Sequence, residues 1–260
     1  MTIIQTLRRM AYLIAPKRAY QFSLWHYHWQ RNRQLAAEAK TLRRRMSAIQ
    51  DLDMMAELVL QSKSFRPSQQ KAEIVALLGL LRELQPKYLC EIGSFRGGTL
   101  ALFCQVADPK AHILALDLNF KPEQPKVLRH FARRGQRITF LKGDSHAAET
   151  LEQVRRWLGI HQLDFLFIDG DHSLDGVTRD FEMYSPLVRA GGVIAFHDIV
   201  PDYRTRYGIK TRSFTGEVPQ FWARLKQKWP DAHEFIADPE QDGFGIGVLR
   251  WDIGRYDKEP

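Results

Sequence analysis

The sequence predicts a doubly wound, Rossmann-like α/β domain that follows a basic helical extension. From residue 66 onward, short apolar runs alternate with helical stretches, and polar or glycine-rich segments follow the ends of these runs. The runs are apolar throughout, as expected of parallel strands covered by helices on both faces. The predicted strands are Tyr88–Ile92, His112–Asp117, Arg137–Leu141, Leu163–Asp169 and Gly192–His197, with two late strands near His233–Ala237 and Gly245–Arg250.

Helical patterns fill the stretches between the predicted strands. A helix with a buried face begins near Pro67-Ser68 and ends by Pro86. Past the fifth strand, residues 201–216 form a long polar, basic loop of the kind that often acts as a lid, and its cations favour an anionic or glycosyl substrate. The remaining predicted helices are Thr99–Ala107, Lys126–Arg133, Ala147–Leu158, Gly176–Val188 and Glu217–Lys228.

The N-terminal extension, residues 1–65, is distinguished from the domain at 66–260 by its charge. Residues 1–50 contain ten Lys and Arg and one acid, whereas residues 51–260 carry a net charge of −1. The whole chain therefore has a net charge of +8. A uniformly basic surface for nucleic acid is therefore not expected. Apolar residues at helical spacing predict one stripe from Leu35 to Val59. Either the stripe packs on the protein's own core, or it forms a homo-oligomer contact or meets an anionic membrane surface.

Composition places the chain among water-soluble globular proteins, with 44% hydrophobic and 26% charged residues. No apolar run reaches 18 residues, and the short N-terminal apolar run lacks the pattern of a signal peptide. The two cysteines, Cys90 and Cys104, lie in apolar surroundings and are expected to be free, buried thiols. We therefore expect a cytoplasmic protein, with peripheral association at a membrane as the alternative.

The glycine-rich turn follows the first predicted strand and has the sequence Glu-Ile-Gly-Ser-Phe-Arg-Gly-Gly-Thr, residues 91–99. Glycine suits a turn whose backbone must approach a ligand closely, and the helix that follows presents free N–H groups. Phe95 stands where a dinucleotide fingerprint requires glycine. Glu91 would repel a pyrophosphate but would attract the amino group of an amino-acid moiety. The turn therefore favours a ligand other than NAD.

Two later strand ends carry groups that suit a nucleoside. Asp117 ends the second strand, where a carboxylate can accept hydrogen bonds from both hydroxyls of a ribose. Asp144 and Ser145 follow the third strand, where an acid and a hydroxyl can bond to an adenine edge. The three strand ends are expected to converge on one crevice.

The fourth and fifth strands end in a second polar group. Asp169 and His172 follow the fourth strand, and His197 and Asp198 end the fifth. Because these two strands are expected to be neighbours in the sheet, all four side chains are predicted to line one pocket. Two carboxylates with imidazole suit a divalent cation such as Mg²⁺, Mn²⁺ or Fe²⁺, and they also suit removal of a proton from a hydroxyl nucleophile.

The first group of motifs, over residues 66–250, resembles the S-adenosylmethionine site of class I methyltransferases. The resemblance implies a seven-stranded sheet whose last strand is antiparallel, with S-adenosylmethionine as the cofactor. Glu91 and Gly93 would face its methionine part, Asp117 its ribose, and Asp144 with Ser145 its adenine. Ser94 and Gly97 of the same turn complete the expected cofactor-binding set.

The second group, Ile-Asp-Gly-Asp-His with Gly-Gly-Val-Ile-Ala-Phe-His-Asp, resembles the cephalosporin-hydroxylase-like and macrocin-type O-methyltransferases. The resemblance implies Asp169, His197 and Asp198 as ligands of Mg²⁺ or another divalent cation. His197 stands where those relatives usually carry an acid, and imidazole favours softer metals. His172 matches the position of a general base, with Asp169 as its catalytic partner.

The sequence thus predicts an S-adenosylmethionine-dependent methyltransferase that acts on a hydroxyl of a small molecule or sugar, with or without a divalent cation. One alternative is another enzyme class on the same fold, a hydroxylase or an oxidoreductase. A second alternative is a non-catalytic protein that assembles through its basic N-terminal helix.

Overall fold

The computed structural model of the protein describes residues 16–252 and residue 254. Helices and strands alternate along most of the chain, as the apolar runs predict. The strands are β1 (Tyr88–Ile92), β2 (His112–Asp117), β3 (Arg137–Lys142), β4 (Leu163–Ile168), β5 (Val188–His197), β6 (His233–Phe235) and β7 (Ile246–Arg250). The α-helices in these residues are α1 (Pro16–Ser47), α2 (Leu52–Leu60), α3 (Lys71–Leu84), α4 (Gly98–Val106), α5 (Gln124–Leu128), α6 (Ala148–Leu158), α7 (Leu174–Tyr184), α8 (Tyr203–Tyr207) and α9 (Val218–Lys228).

The seven strands form one sheet in the order β3-β2-β1-β4-β5-β7-β6. The pairs from β3 to β5 are parallel, and β7 is antiparallel to β5. The predicted doubly wound sheet with an antiparallel last strand is therefore confirmed. Because the strand order reverses between β1 and β4, the carboxyl ends of these strands open a crevice.

Each face of the sheet supports its own hydrophobic cluster. The first packs α1 to α4 and the segment 127–131 against one face, and the second packs α6, α7 and α9 against the other. Cys104 on α4 belongs to the first cluster and Cys90 on β1 to the second. Both thiols are free and buried, and burial raises the pKa of each.

The apolar stripe from Leu35 to Val59 lies on two helices instead of one. The chain leaves the helix after Ser47 and re-enters it at Leu52, where the Asp51 side chain accepts a hydrogen bond from the Met54 N–H at 2.9 Å. The stripe is buried against the sheet-covering helices, so the interpretation that it packs on the protein's own core is confirmed. Its buried residues are therefore not available for a dimer or membrane contact, and Leu35 and Ile49 are partly buried. The buried stripe residues are Ala39, Leu42, Met46, Leu52, Ala56 and Val59.

Other differences from the sequence-based prediction are local. The stretch predicted as one helix over Lys126–Arg133 is the short α5 followed by a 3-10 turn at Arg129–Phe131. Strand β5 begins at Val188, four residues before the predicted start. The loop at 201–216 contains α8, which the Asp202 side chain caps at the Thr205 N–H. None of the helices within residues 16–252 combines the length and apolar character that a bilayer crossing requires.

Candidate active site

A cavity of about 1100 Å³ lies at the carboxyl ends of β1 to β5. The crevice predicted from the strand order is therefore present. Its walls contain most of the residues that the sequence singles out, together with Gln69, Thr99 and Phe214, which it does not. The predicted residues that line the cavity are Gly93, Ser94, Asp117, Asp144, Ser145, Asp169, His172, His197 and Asp198.

Glycine at position 93 is required by the protein's own packing. Gly93 has φ +89°, and a Cβ there would lie 1.9 Å from the carbonyl oxygen of Asp169. The turn after β1 therefore presses against the end of β4, which brings the two halves of the site together. This packing adds a structural reason for glycine to the expected approach of a ligand, and Gly93 also lines the cavity. Gly97 does not line the cavity; it has φ +77°, precedes α4, and leaves space for the Leu128 side chain.

Glu91 does not line the cavity, contrary to the expectation that it faces the ligand. Its side chain is fully buried beneath the turn, where Oε2 accepts a hydrogen bond from Ser94 Oγ at 2.6 Å. Burial raises the pKa of Glu91 to about 8, and Asp169 and Asp117 add to the effect against the lowering by Ser94. Because β1 directs this side chain into the interior, burial favours the neutral acid form of Glu91, which supports the turn through its contact with Ser94.

Asp117 lines the cavity at the end of β2. Its Oδ2 accepts a hydrogen bond from the Phe95 N–H and its Oδ1 one from the Asn119 N–H, both at 2.7 Å. These bonds fix the carboxylate and leave each oxygen a further lone pair toward the cavity. At the end of β3, Asp144 accepts a bond from the His146 N–H at 2.9 Å and remains exposed.

The second polar group is one cluster of two carboxylates and two imidazoles. Nε2 of His172 lies 3.5 Å from Oδ1 of Asp169, and its Nδ1 lies 3.6 Å from Oδ2 of Asp198. Nδ1 of His197 lies 3.3 Å from Asp169 Oδ1 and 3.2 Å from Asp198 Oδ2. His197 is thus placed between the two carboxylates, deeper than His172.

Opposite charges set the protonation of this cluster. Burial by itself lowers the pKa of His197, but Asp169 and Asp198 outweigh it and hold that pKa well above the ordinary value. Burial by itself raises the pKa of Asp169, but His197 and His172 outweigh it and lower that pKa to about 2. The pKa of His172 is raised in the same way, against its burial, by Asp169 and Asp198. The two carboxylates therefore favour the protonated, imidazolium form of His197.

Residues far away in sequence hold this cluster in place. The Gln69 side chain donates a hydrogen bond to Asp169 Oδ2 at 3.2 Å and accepts one from Thr99 Oγ1 at 2.9 Å. Nδ1 of His172 lies 3.1 Å from the carbonyl oxygen of Phe214, whose ring stacks on the imidazole. Neither Gln69 nor Phe214 carries a sequence signal, since one precedes a helix and the other lies within a loop.

Three side chains of the cluster could hold a metal ion. Asp169, His172 and Asp198 each offer one ligand atom, and these atoms lie within 4.8 Å of one another. The set differs from the predicted one, because His172 takes the place of His197. Two carboxylate oxygens with one imidazole nitrogen fit a divalent cation of the first transition row or Mg²⁺.

The sheet order, the antiparallel β7 and the strand-end cavity together define the Rossmann-like fold of class I methyltransferases. Residues 90–199 match a family model described as a methyltransferase domain.

Similar proteins agree with this fold. The rhamnosyl O-methyltransferase of Mycobacterium leprae is 29% identical over 123 residues, which are 46% of this chain and 51% of the relative. The chain thus spans about half the length of the curated relatives it matches. An O-methyltransferase structure from Bacillus cereus in complex with SAH has a TM-score of 0.52 at 16% identity, covering 75% of this chain and 90% of that one. The methyltransferase MycE of the mycinamycin biosynthetic pathway, in complex with Mg, SAH and mycinamycin VI, has a TM-score of 0.50 at 19% identity, covering 76% and 53%.

Proposed function

We propose that this protein is an S-adenosylmethionine-dependent O-methyltransferase whose acceptor is a hydroxyl group of a sugar or a sugar-bearing small molecule. The observation that carries the proposal is the pairing of two polar groups in one cavity: carboxylates at the ends of β2 and β3, and an imidazole-carboxylate cluster at the ends of β4 and β5. The named activity of the rhamnosyl relative supports the choice of acceptor.

The cofactor half of the cavity is proposed to run from the turn after β1 to the end of β3. Asp117 would accept hydrogen bonds from the ribose hydroxyls through its free lone pairs. Asp144 and Ser145 would meet the adenine edge, and Gly93 with Ser94 would lie along the methionine part. Glu91 does not line the cavity, and it would support this turn through its hydrogen bond with Ser94.

The acceptor half is proposed to centre on His172. The Phe214 carbonyl favours the tautomer with a proton on Nδ1, which leaves Nε2 to accept the proton of the acceptor hydroxyl. When bound, S-adenosylmethionine would supply an electrophilic methyl group to that hydroxyl oxygen, with its sulfur as the leaving atom. Asp169 favours the imidazolium that forms at His172, because the carboxylate lies 3.5 Å from Nε2. Proton transfer of this kind is typically worth about 10²–10⁴-fold in rate.

A divalent cation, if the reaction uses one, would be held by Asp169 and Asp198 with His172 as the third ligand. When bound, such an ion lowers the pKa of a hydroxyl that coordinates it. The nitrogen left to it is Nε2, because Nδ1 lies against the Phe214 carbonyl. Metal ligation and proton acceptance therefore compete for one atom, and an experiment can separate them.

The test combines calorimetry with a methyl-transfer assay. The chain should bind S-adenosylmethionine and its demethylated product but not NAD, and Asp117→Asn should weaken that binding by about tenfold or more. The exposed Asp175→Asn is the matched control. Transfer should be assayed on rhamnosides and other deoxysugar glycosides, with and without a chelator. Binding of NAD in place of S-adenosylmethionine would overturn the proposal. Full activity after exhaustive chelation would indicate that Nε2 of His172 accepts the proton. Activity that returns only with Mg²⁺ or Mn²⁺ would indicate that Nε2 is a metal ligand.

A further inference from the structure

A second groove, of about 590 Å³, lies between the last three turns of α1 and the segment 129–134. It shares no lining residue with the active-site cavity. Apart from small and polar residues, its walls are basic, and none of the acidic residues among those that the structure describes lines it. The Lys and Arg residues that line it are Lys40, Arg43, Arg44, Arg129, Arg133 and Arg134.

The charge of this groove is not neutralised by neighbouring acids. Within the described part of the chain, none of the six cations forms an ion pair. Glu38, the one acid of α1, instead accepts hydrogen bonds from Ser62 and Ser64 at 3.1 and 2.7 Å. Glu123, ahead of α5, pairs with Lys126. The partial negative charge at the carboxyl end of α1 amounts to about half a unit, far less than six positive charges.

Two features of the groove favour a bound anion: an unpaired nitrogen of Arg133 and the positive potential at His130. The Arg133 guanidinium donates from Nη2 to the Ala107 carbonyl, but its Nε is buried without a hydrogen-bond partner. Burial lowers the pKa of His130, and the charges of Lys40, Arg129 and Arg43 lower it further. Cations held together in a concave surface repel one another, and a bound anion would relieve that repulsion.

We propose that this groove binds a ligand that carries two or more phosphate groups. Five of its six cations are arginines, and the planar guanidinium donates paired hydrogen bonds to a phosphate. Cations approach from both walls, so a ligand with two anionic groups can be contacted by α1 and by segment 129–134 at once. The volume lies within the range of small-molecule sites. The phosphate groups could belong to a free metabolite or to the headgroup of an anionic lipid, and these sources are separated by experiment.

The first arm is a calorimetric titration of the full chain with inorganic pyrophosphate at about physiological salt. The test variant carries Arg43→Ala and Arg129→Ala, one cation from each wall. The matched control carries Arg31→Ala and Arg45→Ala, two exposed arginines of α1 outside the groove, so that both variants lose the same net charge. We expect one site per chain in the wild type, at least tenfold weaker binding in the test variant, and an affinity within about twofold of wild type in the control. Circular dichroism melting of each variant checks that it folds.

The second arm measures cosedimentation with vesicles that contain cardiolipin, an anionic lipid whose headgroup carries two phosphate groups, and with vesicles of phosphatidylcholine alone. Pyrophosphate binding without vesicle binding identifies a soluble ligand. Binding to cardiolipin vesicles that the test variant alone loses, without pyrophosphate binding, identifies a lipid headgroup. A bound phosphate group should also raise the pKa of the His130 imidazole in an NMR titration. The proposal is overturned if neither ligand binds, or if test and control variants lose binding equally.

Discussion

Nδ1 of His172 lies 3.1 Å from the carbonyl oxygen of Phe214, which is 42 residues later in the chain. The loop after β5 thus orients an imidazole that follows β4. The contact depends on Gly216, where φ is +57° and a Cβ would lie 2.3 Å from the carbonyl oxygen of His172 itself. Loop and imidazole are therefore held by a backbone approach that no other residue type permits.

Gly216→Ala should lower turnover at least tenfold while leaving the affinity for S-adenosylmethionine near that of the wild type. The added methyl group pushes the loop away from His172 and frees the imidazole to rotate. Gly208→Ala is the control, because Gly208 also has a positive φ, +70°, but no atom lies within 4 Å of the added carbon. Backbone strain alone, about 1 kcal/mol, should affect both variants alike in urea unfolding. Equal turnover in the two would contradict the positioning role.

His197→Gln should destabilise the protein on the order of 3 kcal/mol at pH 6, because it leaves Asp169 and Asp198 without the cation between them. The pKa of His197 is raised in the folded protein. The ion pair therefore contributes fully to the free energy of unfolding below the unfolded-state pKa of about 6.5, and this contribution is lost as pH rises through the folded-state pKa. Urea unfolding from pH 6 to 10 measures it. The double variant His197→Gln with Asp198→Asn should recover much of the loss, and a fully additive double variant would refute the ion pair.

Glu91→Gln should flatten the pH dependence of stability between pH 5 and 8. The folded-state pKa of Glu91 is about 8 and the unfolded value about 4.5, so the unfolded chain binds fewer protons over this range and wild-type stability falls as pH rises. The slope is at most about 1.4 kcal/mol per pH unit. Gln removes the titration but keeps an acceptor for Ser94. Glu149→Gln, at the exposed start of α6, is the control, because the other titrating groups contribute equally to both variants. Parallel curves for the two variants would show that Glu91 is ionised in the folded protein.

A chain that begins at Arg31 should fold, whereas one that begins at Ser62 should not unfold cooperatively. The shorter chain loses Leu42, Met46, Met55 and Val59, which pack in the same cluster as Leu100 and Phe131. Each buried side chain of this size is worth roughly 1.5–3 kcal/mol, so their sum approaches the whole stability of a typical domain. Differential scanning calorimetry distinguishes the two chains. A sharp transition in the shorter one would instead support a domain boundary at residue 65.

The central strands of the sheet, β1, β2 and β4, were predictable because they are buried on both faces, so each is a continuous apolar run in the sequence. The break between α1 and α2 was missed, since both helices present their apolar residues to one core and the spacing continues across Asp51. At the site, Asp117 and Asp169 could be found from their positions after strands. Gln69 could not, because its hydrogen bond to Asp169 spans 100 residues and arises only from the packing of the segment before α3.

The two buried thiols lie on opposite faces of the sheet. Their reaction with a thiol reagent therefore reports, in the wild-type chain, which side of the sheet opens locally. A maleimide or dinitrobenzoate reagent reaches Cys104 only when the layer formed by α1 to α4 lifts, and Cys90 only when the layer formed by α6, α7 and α9 lifts. Peptide mapping of the labelled chain therefore resolves which layer opens first, without any introduced probe.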